Sequence, residues 1–489
     1  MLISALLVLT FFVIAGCGSS AQRNFNHLLL ELADADQTIS HDDWMKIETF
    51  LDSQKTHFGD FYNGDRLKVE VVKEYIKDFF EHRRPPKTIT FIGTGAECLK
   101  VNFYLERSGS MIAYDDPQGD GSFKAAIVKM LNNLPGNNSD NKIYVVNNGI
   151  NAYPHGFARF LADANIFEAT KGIGDPSYTD FGAIFDQLLN KTGNNQLSIL
   201  VTDMIYSTKN MTGVNPQKVF AEAQGMINAV FKANVKDKSM LIVKMNGSYN
   251  GPYYTYNSVV KQYNGRRPYY IVIVGSNDDI AQLSENSNYA AFSRFSELNG
   301  FEDMYLFDTD GVYKPYYSLL LNNPDIRGRF RPERGQDSPI TNIEGMEVDR
   351  NSGDLQLDLA VDLSGMLIDN AYLTNPANYQ VESDDPVMIK SIRLVSSKDA
   401  TPAEKKYLGK ATHIFVLKMN KISNRQDVKI KLLNKLPDWV AASSNDDDTQ
   451  VDSRTTFGLK YLLQGIYSSY RRNSDGAPYY FEMNLKFND

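Results

Sequence analysis

Apolar positions follow three different rhythms along this chain. Up to about residue 86 they recur at helical spacing. Ser40-His41-Asp42-Asp43 reads as a helix start with Ser40 as N-cap, ahead of Trp44, Ile47, Phe50 and Leu51 on one face. A second amphipathic helix is expected from about Asp65, carrying Val69, Val72, Tyr75, Ile76, Phe79 and Phe80, and Arg83-Arg84-Pro85-Pro86 ends it. These predict a small helical module, a spacer or lid packed on the adjoining domain.

From about residue 87 to 310 short apolar runs alternate with helical periods, which predicts an α/β layer architecture. Strands are expected at 99–105, 143–146, 197–202, 241–245, 269–274 and 304–307, and helices at 123–134, 155–167, 179–189 and 216–234. Asn215 as N-cap and Pro216 at the first helical position specify the last helix start. Runs such as Ile199-Leu200-Val201 do not alternate, as expected of strands covered on both faces. Between 311 and 338 the punctuation changes, and Arg327-Gly328-Arg329-Phe330-Arg331-Pro332-Glu333-Arg334-Gly335 is read as a solvated linker in preference to a phosphate or lipid head-group site. Residues 354–363 alternate cleanly, and further strands are expected at 388–395, 413–419 and 428–433, with an acidic loop at 445–448, a helix at 457–470 and a strand at 479–487 beyond them. Residues 339–489 therefore read as a β-rich, sandwich-like domain with one helix.

Composition narrows the function. The 489 residues exceed what one small core organises. A net charge of −8 with scattered acids argues against nucleic acid as a partner. The six histidines, His27, His41, His57, His82, His155 and His413, form no pair spaced for zinc. Residues 2–14 are an apolar run too short to span a bilayer, succeeded by Ile14-Ala15-Gly16-Cys17 and a polar tether, Gly18-Ser19-Ser20-Ala21-Gln22. The pattern resembles a bacterial lipobox, which implies a signal peptide over 1–16, a lipid on Cys17 and a membrane-anchored protein of the cell envelope. It departs in having no Lys or Arg before the apolar run. With Cys17 lipidated, Cys98 has no disulfide partner.

Candidate chemistry concentrates at Glu106-Arg107-Ser108-Gly109-Ser110-Met111, where two hydroxyls and a carboxylate share one turn after an apolar strand. Asp203 ends the strand at 197–202, and Thr179 opens a helix after Lys171-Gly172-Ile173-Gly174-Asp175-Pro176. Open α/β sheets gather ligands at the carboxyl ends of strands. Hard cations such as Mg²⁺ take about six oxygens at roughly 2.0–2.1 Å, several of them water. Glu106, Ser108, Ser110, Thr179 and Asp203 are therefore candidate ligands of Mg²⁺, with Mn²⁺ or Ca²⁺ as alternatives. Arg107 offers a plainer partner for Glu106, a surface ion pair.

The stretch 87–310 resembles a von Willebrand factor A-type domain. That family has a Rossmann-like fold and a metal site made of an Asp-x-Ser-x-Ser turn, a distant Thr and a distant Asp. Ser108 and Ser110 match the two serines, Gly109-Ser110-Met111 the common continuation, and Asp203 within Leu200-Val201-Thr202-Asp203 the final aspartate. Thr179 matches the threonine, with Ser177 and Asp180 as alternatives in a shifted loop. Glu106 stands where the family has aspartate, and its extra methylene displaces the carboxylate by roughly an ångström, the scale at which an octahedral site is strained. The resemblance implies a protein ligand whose carboxylate completes the metal's coordination, hence interaction or adhesion and not catalysis. A glycan-acting or other hydrolytic envelope enzyme and a structural scaffold are the competing expectations. Asp115-Asp116-Pro117-Gln118-Gly119-Asp120-Gly121 lacks a terminal calcium-binding Glu, since Ile127 stands there, and is read as a helix-starting turn. Gly93-Thr94-Gly95 lacks dinucleotide-loop spacing.

Overall fold

The computed structural model describes residues 20–33, 37–39, 41–63, 66–91, 99–135, 141–206, 214–309, 313–335, 338–396, 398, 400–407, 411–421, 425–473 and 479–488. The N-terminal apolar run, Cys17, Ser40, Gly93-Thr94-Gly95 and Cys98 lie outside them. The chain divides into two compact units, residues 1–97 with 286–288, and the rest.

Among the described residues the first unit holds three α-helices: α1 (Ser20–Ala33), α2 (His41–Ser53) and α3 (Val69–Glu81). Helix α1 takes in Ser20, Ala21 and Gln22, which were expected to form a tether. Ala21, Phe25, Leu29 and Ala33 recur every four residues and are buried, so one stripe of the helix faces the core. Phe25 sits among the rings of Phe50, Phe58, Phe61 and Tyr75. Trp44, Ile47, Leu51, Val72, Ile76 and Phe80 complete the core. Burying each such side chain contributes about 1.5–3 kcal/mol.

The second unit is mixed α/β and is organised by a seven-stranded sheet. Its strands are β1 (Lys100–Glu106), β2 (Lys142–Val146), β3 (Ile150–Ala152), β4 (Gln196–Thr202), β5 (Lys238–Tyr254), β6 (Val260–Ser276) and β7 (Phe301–Phe307), in spatial order β7-β5-β6-β4-β1-β2-β3. β1 is parallel to both β2 and β4, and every other pairing is antiparallel. Alternate residues of the central strands feed two separate cores. Ile199, Val201, Leu241, Val243 and Ile271 pack with Phe123 and Ile127 of α4 (Ser122–Asn132). Leu200, Met240, Ile242 and Val272 pack with Phe185 of α5 (Phe181–Lys191) and with Ile227 and Phe231 of α6 (Pro216–Phe231). Burial on both faces is why these strands read as unbroken apolar runs.

Two expectations for this region change. The helix expected at 155–167 is two short helices, Phe157–Ala162 and Ile166–Ala169, because the Asn165 side chain accepts the backbone N–H groups of Phe167 and Glu168 and starts the second. The strands expected at 241–245 and 269–274 are the inner parts of one long hairpin. Its ladder runs without a break from Ser276↔Lys238 to Val260↔Tyr254. The outer half of β6 alternates exposed and half-exposed residues from Val260 to Arg266, so an apolar-run reading stops short of it.

Among its described residues the rest of the second unit contains two larger sheets besides a two-stranded parallel pair, Ser444–Asn445 with Thr456–Phe457. One has the order β8 (Tyr317–Leu319), β11 (Leu355–Val361), β14 (His413–Met419), β13 (Val387–Leu394). The other has the order β9 (Arg329–Pro332), β10 (Asn342–Glu347), β16 (Tyr479–Phe487), β15 (Gln426–Leu433), β12 (Tyr379–Glu382). The stretch 311–338, read as a linker, thus contributes β8 and β9, and Arg331 of β9 pairs with Glu344 at 3.0 Å. Leu355, Leu357 and Leu359 share a core with Val428, Ile430, Phe481 and Met483, and this core is continuous with the α5–α6 layer. Helix α7 (Leu459–Asn473) makes the join, with Gly465 against Ile227: a Cβ there would lie 3.2 Å from Ile227 Cγ2. Among the described residues no helix is long and apolar enough to cross a membrane.

Candidate functional site

Strand β1 delivers Glu106 to the carboxyl edge of the sheet, and β4, its parallel neighbour, delivers Thr202 and Asp203 to the same edge. The chain leaves β1 through Ser108-Gly109-Ser110 into a short 3₁₀ helix, Met111–Asp115. It leaves β4 through Met204, a buried residue at φ 54°, a left-handed conformation that costs about 1–3 kcal/mol outside glycine. Met204 N donates to Thr202 Oγ1 at 2.9 Å and Ile205 N to Asp203 Oδ1 at 3.1 Å, which hold that turn.

Thr179 arrives from the loop before α5. Asn147, fully buried at the end of β2, fastens this loop: its Nδ2 donates to Ile173 O at 3.0 Å and its carbonyl accepts from Asp180 N at 3.1 Å. Gly174 passes over Asn147 at φ 67°, and a Cβ there would fall 2.3 Å from Asn147 Oδ1, so only glycine fits. The three candidates in this loop take separate roles. Asp180 caps α5 by accepting Ala183 N, Ser177 lies exposed against Asp175, and Thr179 is buried and donates to Glu106 Oε1 at 2.8 Å.

The five predicted residues come together in one hydrogen-bonded chain. Thr179 and Thr202 donate to the two oxygens of Glu106, at 2.8 and 2.5 Å. Ser108, which also bonds Glu106, lies 3.1 Å from Ser110, and Ser110 donates to Asp203 Oδ2 at 2.6 Å. Glu106 is 2% exposed and Asp203 1%. Burial first, then the Asp203 charge, push the Glu106 carboxyl well above the usual carboxylate range, against the pull of Thr202, Thr179 and Ser108. Burial likewise raises Asp203, opposed by Ser110, Ile205 N and the Arg267 charge. Two carboxyls this close in low dielectric resist ionising together, so the site calls for a shared proton or a cation.

Arg107 does not supply that cation. It is buried in its own right, with Nε donating to Phe167 O at 3.5 Å, so the surface pair with Glu106 is not formed. The turn at 115–121 serves structure: Asp115 accepts Ile166 N, Asp120 accepts Ser122 N at the start of α4, and Asp116 accepts Asn250 Nδ2.

Above the carboxyls opens a cavity of about 740 Å³. One wall is the Asp175–Thr179 loop, and the other is the outer end of the β5–β6 hairpin, with Asn250, Gly251, Pro252 and Tyr254. Tyr254 lies directly on the serine turn, where a Cβ on Gly109 would meet its Cε2 at 2.8 Å. The hairpin is braced from behind. Asp448 accepts Tyr253 OH at 2.8 Å and Tyr256 N at 2.9 Å, and Arg267, stacked on Tyr253, donates to Asp452 O at 2.9 Å. Sequence reasoning missed Thr202, Asn147 and Tyr254. Thr202 carried a signal, standing beside Asp203 at a strand end; the other two act through contacts distant in sequence.

No family model, curated protein or solved structure matches the chain. Among the described residues no three His, Cys, Asp or Glu side chains gather as a metal-binding group. The donors at this site are two carboxylates and several hydroxyls. Each hydroxyl that points its hydrogen at a carboxylate keeps its lone pairs for another partner.

Proposed function

We propose that this chain is a lipid-anchored protein of the bacterial cell envelope whose von Willebrand factor A-like stretch, residues 87–310, engages a protein partner through a divalent-cation site, with the β-rich C-terminal part as its support. The observation that carries the reading is the convergence of Glu106, Ser108, Ser110, Thr179 and Asp203 at the floor of one cavity, at the carboxyl ends of two parallel strands. An all-oxygen set of this kind suits Mg²⁺, with water filling the remaining positions. Both oxygens of Glu106 accept hydroxyl hydrogens, as an ionised carboxylate does, and a cation is what a buried carboxylate pair needs to stay ionised. Binding is favoured over turnover because Glu106 and Asp203 are both held as acceptors by neighbouring hydroxyls. The anchor rests on the apolar run 2–14 with Cys17 just beyond it.

A ligand that binds only the folded chain stabilises it by mass action, so Mg²⁺ at ~100 times its dissociation constant should add about 2.7 kcal/mol. Asp203→Ala should abolish the gain, and Glu106→Asp should tighten binding if the family's aspartate geometry applies. A melting temperature indifferent to Mg²⁺, Mn²⁺ and chelator in wild type and Glu106→Asp would remove the metal from this reading.

A further inference from the structure

The cavity above the acidic floor has walls that offer a ligand no charge to pair with. Its two wall carboxylates are already used inside the fold: Asp116 Oδ1 accepts Asn250 Nδ2 at 3.0 Å and Gln118 N at 2.8 Å, and Asp175 Oδ1 accepts Ser177 N at 3.0 Å. They do not call for a cation, and they repel an anion, since no Lys, Arg or His is among the described lining residues. What the walls present instead is apolar surface, from Ile112, Ile205, Pro176 and Pro252, with Tyr254 at the rim. Among the described residues only a handful of large apolar side chains stay exposed, and two of them, Ile112 and Tyr254, line this one cavity. The Tyr254 ring is backed by Gly109, and its backbone is fixed because Tyr253 OH and Tyr256 N both donate to Asp448. At about 740 Å³ the space has the size and the mixed lining of a small-molecule site. A rigid exposed ring beside a floor of hydroxyls and carboxylates suits a neutral molecule with a C–H face on one side and hydroxyls on the other.

We propose that the group seated in this cavity is a neutral sugar ring of a glycan, its C–H face on Tyr254 and its hydroxyls toward the Ser108-Gly109-Ser110 turn, and not the carboxylate that the family resemblance implies. The inference rests on this cavity being the functional site. A cation on the floor keeps several waters, and adjacent sugar hydroxyls are neutral oxygens that can replace them. Ca²⁺ takes more oxygens than Mg²⁺ in a less rigid geometry, so both ions enter the test.

The test uses the full chain with Mg²⁺ or with Ca²⁺ and probes that differ in charge on one kind of ring: methyl glucoside and methyl mannoside, which are neutral, glucuronate, which is anionic, and protonated glucosamine, which is cationic. Binding is followed by saturation-transfer NMR. A neutral sugar should bind, glucuronate should not, and glucosamine should bind no more tightly than the neutral sugar. Tyr254→Ala should weaken the neutral sugar roughly tenfold, and Tyr254→Phe, which keeps the ring, should retain it. Preference for either charged sugar, binding of neither neutral sugar, or a neutral sugar indifferent to Tyr254→Ala would each overturn the proposal. The melting temperature reads the ion separately. A normal response to Mg²⁺ or Ca²⁺ with no neutral sugar bound breaks this inference alone, and a melting temperature indifferent to both ions with a neutral sugar still held on the Tyr254 ring breaks the metal reading alone.

Discussion

The second unit buries two pairs of carboxylates and treats them in opposite ways. In the β-rich part, Glu404 and Asp358 are both 0% exposed on the four-stranded sheet side of the fold. Asn323 bridges them, donating to Asp358 Oδ2 at 2.5 Å and to Glu404 Oε1 at 2.8 Å. Arg393 pairs with Glu404 Oε1, and Thr401 N donates to Oε2 at 3.1 Å. Burial alone would raise Glu404, but Arg393, then Asn323 and Thr401, hold it below the ordinary carboxylate range. Glu106 is as deeply buried and is pushed the other way, because its neighbours are hydroxyls and a second carboxylate. A buried acid supplied with its own guanidinium is balanced within the fold; one held by hydroxyls beside a second carboxylate under an open cavity is not, which is what the proposed cation would answer.

The same substitution at both glutamates should separate them most widely. Glu404→Gln removes a charge-assisted acceptor from a network whose Arg393 is 39% exposed and can turn to water, and should cost about 1.5–3 kcal/mol. In the presence of chelator, burial and the Asp203 charge favour the protonated Glu106 carboxyl, so Glu106→Gln exchanges one neutral group for another of similar shape and stability should change by no more than about 1 kcal/mol. Urea unfolding of the two variants measures the contrast. Equal losses would mean that Glu106 is balanced by the protein itself, and the distinction between the regions would collapse.

The balance in the β-rich network is incomplete at Asp358, which sharpens the comparison through pH. Asp358 Oδ1 has no hydrogen-bond partner among the described residues, and burial pushes the carboxyl up to about 6, with Asp325 and Glu404 adding to the rise and Asn323 and Arg393 opposing it. Its folded-state value lies above that of the unfolded chain, so the native protein holds a proton between about pH 4 and 6 that the unfolded chain has released. Stability from this group is therefore present at acid pH and is lost as pH rises through 6. The stability of wild type relative to Asp358→Asn should fall by about 2–3 kcal/mol from roughly pH 4 to 7. A difference that does not vary with pH would mean that Asp358 is fully satisfied.

Much of this architecture was legible because it depends on local rules. Ile199-Leu200-Val201 announced a strand with two cores, and Asn215-Pro216 marked the start of α6. The strands at 413–419 and 479–487 fall where they were expected. The serine turn, Thr179 and Asp203 could be named because each ends or opens a periodic element. What escaped depends on long-range contacts or on polar periodicity. The outer hairpin has no apolar run, Asn147 matters only because a glycine at 174 crosses it, and Thr202 needs Glu106 from another strand. The stripe Ala21, Phe25, Leu29 and Ala33 was readable, but the segment's place after a lipobox-like cysteine drew the reading to a tether.

The smallest expected effect on stability discriminates the site most finely. Gly109 carries no positive φ, so alanine meets no backbone penalty there, and the nearest obstacle is the Tyr254 ring 2.8 Å from the added Cβ. That ring is nearly half exposed and can turn into solvent. Gly109→Ala should therefore cost less than about 1 kcal/mol, as a change at a surface that can yield. It should leave the Mg²⁺ response in place, since Ser108 and Ser110 keep their partners, while the displaced ring no longer walls the cavity. A variant stable to urea and responsive to Mg²⁺ would show that the hairpin ring and the strand ends proposed to hold the ion are separable parts of the site. If Gly109→Ala abolished the Mg²⁺ response, the ring would be holding the serine turn in shape, and Tyr254 would belong with the support of the proposed ion site.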